Sequence, residues 1–176
     1  MFTGAHIHLL VNHVPILGSL FALGLLVASY LWAPDVLRRT AFVVLLGTAI
    51  AGVVADQTGD AAEDAIRGFP GVKRSVIHEH EEMADKANII AIVVGVVGLG
   101  GLIRWRNKPV PGGMTAVMVL VTAFSSGAMV YTGLLGGRVR HTEIRPNAVK
   151  ADAMTIEPPR RRPGAAPGDS AAPPPP

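Results

Sequence analysis

The chain has 176 residues, of which 49% are hydrophobic and only 16% charged, with a mean hydropathy of +0.39. A soluble domain carries about 25% charged residues, so the deficit points to a membrane and makes the lipid bilayer the expected partner. Cysteine is absent, which excludes disulfides, thiolate-held iron–sulfur clusters, c-type haem attachment and cysteine nucleophiles. The net charge of +3 is modest. Its basic residues sit beside apolar segments and in the tail, not in an aromatic-studded patch, so nucleic acid is not an expected partner.

From Met1 to Ala33 there is no Asp, Glu, Lys or Arg. Val14–Ala33 alone matches a hydrocarbon core of about 30 Å at about 1.5 Å per residue. The run lacks a basic leader and is too long for a signal peptide, so it reads as a first transmembrane helix with Tyr30 and Trp32 as interfacial anchors. A short loop through Pro34 and Asp35 leads to a second span. Its uncharged part, Thr40–Ala55, is short, so the helix is expected to begin near Leu37 with Arg38 and Arg39 snorkelling.

Asp56–Glu82 is the long polar connection. Asp60-Ala61-Ala62-Glu63 has the pattern of a capping box opening a surface helix that Gly68 and Pro70 end. Its acidic residues lack the spacing and central glycine of a calcium loop. A third helix is expected from about Ser75, polar at first and apolar from Ala87 to Ile103, closed by the basic and aromatic stretch from Arg104 to Lys108. Met114–Leu135 reads as a fourth span, rich in small residues that let helices approach closely in lipid.

The expected architecture is therefore all-α: a membrane four-helix bundle over 1–146, with spans near 8–32, 38–55, 84–103 and 113–135. The tail, 147–176, is rich in Pro, Ala, Gly and Arg, has no core-forming pattern and reads as disordered. Arg160, Arg161 and Arg162 within it read as a solvated charge run.

An even number of spans puts both termini on one side, and with them all six histidines: His6, His8, His13, His78, His80 and His141. Ionisable groups near membrane depth are functional candidates by default. On a continuous helix His6 and His13 share a face but stand about two turns apart, while His8 and His13 diverge by about 140°. The opening stretch is thus one wall of a shared site. On the third helix His78 continues into an acidic stripe through Glu81, Glu82 and Asp85. His80 continues into a small-residue stripe through Ala84, Ala87, Ala91 and Gly98, which makes it the candidate for a buried ligand.

The segment His8-Leu9-Leu10-Val11-Asn12-His13-Val14-Pro15 resembles the H-P-x-x-V-H-F-P opening of an uncharacterised family of four-helix bacterial membrane proteins. Thr132-Gly133-Leu134-Leu135-Gly136-Gly137, followed by Arg140 and His141, is similar to that family's G-x-L-G-G segment and R-H pair. Leu9 and Val14 stand where the family has Pro and Phe. Some relatives are joined to Rieske domains, so the resemblance implies electron transfer and directs attention to His8, His13, Arg140 and His141.

Three functions fit these residues. In the first, a b-type haem is ligated by two imidazoles, His13 with His80 or His141, while Arg138 or Arg140 pairs with the propionates. In the second, His13, His80 and His141, or alternatively His6, His78, Glu81 and Glu82, bind a divalent transition metal such as zinc, copper or iron. No HExxH spacing is present. In the third, the chain is a structural subunit of a larger membrane complex. A redox partner or such a complex is expected beside the bilayer, in a bacterial cytoplasmic membrane. Arg38, Arg39, Arg104, Arg106 and Lys108 in the short loops favour a periplasmic histidine face.

Overall fold

The computed structural model describes residues 2–158; the remainder of the tail, including Arg160–Arg162, lies outside the described residues. Six α-helices follow in order: α1 (Gly4–Val11), α2 (Val14–Ala28), α3 (Pro34–Gln57), α4 (Gly59–Ile66), α5 (Arg74–Arg104) and α6 (Gly112–Arg140). Four stretches are long and apolar enough to cross a membrane: α1 with α2, then α3, α5 and α6. The fold is an all-α, four-helix membrane bundle.

α1 and α2 are one helix interrupted at Asn12 and His13. The cause is Pro15, which cannot donate a hydrogen bond to the preceding turn. In the bundle α2 packs on α3 and α6, and α5 packs on the same two, so the four spans close a ring. At about 1.5 Å per residue the 31-residue α5 is about 46 Å long. That exceeds a hydrocarbon core of about 30 Å, so its polar first turns project beyond the membrane.

Buried polar side chains run the length of the interior, with Ser29 and Thr115 near the loop end. Ser19, Thr48, Asn88, Ser125, Ser126 and Thr132 are buried, whereas the outer faces carry Leu17, Phe21, Ile50, Ile89, Leu120 and Phe124. This is the pattern expected where the solvent is lipid and the helices associate through close packing. Farther from the histidines, Ala22, Leu26, Phe42, Leu45, Val94, Val110 and Met118 form one apolar cluster.

Several local expectations change. Arg38 and Arg39 do not snorkel: Arg38 donates to Val110 O (2.7 Å), and Arg39 donates to Trp105 O (2.6 Å) and Lys108 O (2.8 Å). The first span ends at Ala28, short of Trp32, because the chain tightens there into a turn with Tyr30 N bonded to Val27 O. The surface helix forms as α4, but without a capping box. Its preceding residue, Thr58, instead donates its hydroxyl back to Val54 O and Ala55 O of α3.

Residues 147–158, assigned to the tail from composition, pack back on the start of α5. A short 3-10 helix spans Lys150–Met154. Lys73 pairs with Asp152 at 3.1 Å, Gly71 N bonds to Thr155 O, and Arg74 N bonds to the Glu157 carboxylate. Val72, Ile77 and Val139 form the apolar centre of this small cap.

Candidate histidine site at one end of the bundle

Each histidine has a distinct environment, and the hydrogen-bond partner of Nδ1 separates them. A carbonyl oxygen only accepts, so an imidazole nitrogen bonded to it carries the ring proton, and the other nitrogen of the neutral ring is left with a lone pair. His8, half-buried on α1, donates from Nδ1 to Ala55 O of α3 at 2.8 Å. His80, half-buried on α5, donates from Nδ1 to Thr132 O of α6 at 3.1 Å. Both therefore present Nε2 as a Lewis base.

These two positions follow from the small-residue faces. Gly4, His8, Asn12, Pro15, Ser19 and Ala22 recur at spacings of three and four, one helical stripe turned toward the bundle. His8 reaches the end of α3 because α1 continues above the kink. On α6, Gly136 lets His80 approach: a Cβ there would lie 3.0 Å from His80 Cε1. A side chain at that position would displace the imidazole.

The other four are held differently. The Nδ1 of His6 accepts from Thr3 N in a capping box, which places the ring proton on Nε2 and commits the imidazole to starting α1. His13 is exposed at the kink, with no side-chain hydrogen bond capping α2. His78 is exposed, with Glu81 at 3.9 Å and Glu82 at 3.8 Å. His141, also exposed, donates to the Glu143 carboxylate at 2.8 Å just beyond α6. The backbone N–H of Glu143 itself, and then the His141 imidazole, hold that carboxyl below the usual range.

Arg140 lies over the Phe69 ring at 5.4 Å, whereas Arg138 turns into a cleft on the other side of α6 with Lys73, Glu79 and Arg145. Among the described residues no group of three or more His, Asp or Glu side chains converges as a metal-ion site. At the histidine end of the bundle the fold holds two imidazoles from different helices on backbone carbonyls, His8 on α1 and His80 on α5, with the exposed His78 beside Glu81 and Glu82.

Fold and site together define a membrane four-helix bundle with two carbonyl-anchored imidazoles at one end. The chain matches no protein-family model, no curated protein and no solved structure.

Proposed function

We propose that this protein binds a b-type haem through His8 and His80 and passes electrons in a bacterial cytoplasmic membrane. The observation that carries the reading is the shared Nδ1–H···O=C bond, which fixes both tautomers with Nε2 bare. Metal-binding histidines are held in this way, by a carbonyl or carboxylate on the second nitrogen. Two such nitrogens complete an iron whose other positions a porphyrin fills, whereas a structural zinc needs about four protein ligands. The donor set thus fits a haem.

When bound, the haem supplies one-electron chemistry at a potential set by axial ligands, hydrogen bonds and burial. The chain's own contribution is orientation and exclusion of water. Ala55 O and Thr132 O hold the two rings, and Gly136 leaves room for His80. The bulky cluster around Phe42 and Leu26 closes the bundle below. The likeness of the opening and closing motifs to the four-helix family supports the electron-transfer reading, and the basic short loops support a periplasmic histidine face.

Absorption spectra in mild detergent, before and after dithionite, with metal analysis, test this. A Soret band at near-stoichiometric haem, with an α-band that sharpens on reduction, is expected. His8→Ala and His80→Ala should each remove one axial ligand and alter the spectrum, while His13→Ala and His141→Ala should not. Metal without a Soret band would overturn the haem assignment in favour of a non-haem ion. Loss of neither signal in the His8→Ala/His80→Ala double variant would defeat the pairing.

A further inference from the structure

A second site lies in the cap, apart from the imidazole pair. Lys73 and Glu79 of the α5 entry, Arg138 of α6, and Arg145 and Asp152 of the returning chain line a cleft of about 270 Å³. Three cationic side chains meet two carboxylates there, and one carboxylate, Asp152, is already paired with Lys73.

The arginines are unevenly satisfied. Arg145 donates from Nε to Arg138 O (2.7 Å) and from Nη2 to Gly71 O (2.7 Å) and Val139 O (2.8 Å). It thereby closes the carbonyl end of α6, where a cation is favoured. Its Nη1 is enclosed without an acceptor, and so is Nε of Arg138. Enclosed polar groups are almost always paired, and a donor on a charged group is the costliest to leave unpaired. Two guanidinium groups with unfilled donors thus line one cleft with an ammonium, a donor set whose chemistry suits an oxyanion.

We propose that this cleft binds a phosphate group, presented by an anionic phospholipid at the membrane face where α5 and α6 emerge. The same chemistry would accept free inorganic phosphate, so the test separates the two sources. Glu79, exposed at the rim, faces the site as the carboxylate that a bound anion has to tolerate. The cleft is smaller than the roughly 300–1,000 Å³ of a drug-sized pocket, which suits a headgroup better than an extended ligand.

The test uses the whole chain in detergent, with Arg138→Gln as the main variant because no hydrogen bond anchors the Arg138 side chain among the described residues. Native mass spectrometry with added phosphatidylglycerol or phosphatidylcholine should show the anionic lipid retained preferentially. Arg138→Gln should weaken that retention about tenfold. If lipid is not retained but inorganic phosphate raises the melting temperature in an Arg138-dependent way, the site takes the free anion. Equal retention of both lipids with no phosphate effect, or binding unchanged in Arg138→Gln, overturns the proposal. Arg138→Lys, which keeps the charge but loses the planar fork, gives a second reading where Arg138→Gln perturbs folding. Restored folding without phosphatidylglycerol or phosphate binding agrees with the proposal, and full binding opposes it.

Discussion

The two ends of the bundle are built on opposite terms. At the loop end the polar groups are paired: Asp35 bonds to Arg39 (2.7 Å) and accepts from Val110 N (2.9 Å), and Arg38 and Arg39 close the carbonyls of the 105–110 loop. From mid-bundle to the histidine end, Thr122, Ser126, Thr48, Asn88 and Asn12 each enclose a polar side-chain atom with no partner. Native interiors contain few such atoms. The loop end is therefore a clamp, and the histidine half is where enclosed polar atoms are left without partners.

The sharpest way to break this contrast is to cut the clamp. Arg39→Ala removes the Asp35 pair and the bonds to Trp105, Arg106 and Lys108 carbonyls together. Bonds to charged groups contribute about 1.5–3 kcal/mol each when enclosed, but Arg39 is 28% exposed, and screening reduces that figure. A loss of about 2–3 kcal/mol is expected in reversible unfolding from detergent, with faster hydrogen exchange across 105–110. A change below about 0.5 kcal/mol would show that the pairing at this end does not hold it closed.

Glycine substitutions sharpen the same contrast at smaller scale. A Cβ on Gly95 would meet Ala49 Cβ at 2.9 Å and Leu45 O at 3.2 Å, and the backbone of α3 has no room to move. Gly95→Ala should cost about 1–3 kcal/mol through overpacking. At Gly52 the obstacle is Asn88 Oδ1, the end of a rotatable side chain. Gly52→Ala should cost under about 1 kcal/mol, since alanine also favours the helix by roughly that amount over glycine. Equal costs in parallel melts would mean that the histidine half is as rigid as the rest.

The spans were legible because twenty-residue uncharged runs have few other uses. The ends of the helices were less so. The arginines of the second span gave no sign that loop carbonyls would take them, because the loop that supplies those carbonyls lies some 70 residues away, as in Arg38 to Val110. At the site, His80 could be read from its small-residue stripe, of which Ala87, Ala91 and Gly98 are buried. The motif carries both His8 and His13, and the sequence reading put His13 first. The usable signal was the row Gly4, His8, Asn12, Pro15, Ser19: in lipid the small and polar face turns inward, and His13 is not on it. The cap was illegible, since contacts such as Lys73 to Asp152 join segments whose composition alone resembles linker.

The smallest expected effect falls on Asn88, and it discriminates best between a packed interior and a prepared one. Its Oδ1 is buried without a hydrogen-bond donor and rests on the Cα of Gly52, where only a weak C–H contact is available. Leucine has a similar shape and no group to desolvate, so Asn88→Leu should leave apo-protein stability within about 1 kcal/mol or raise it. The same variant in cofactor-loaded protein is the counterpart. If a bound species or its water satisfies Asn88, the loaded form should lose stability while the apo form does not. A loss above about 2 kcal/mol in the apo form would show that Asn88 already has its partner, and would remove it from the contrast between the two ends.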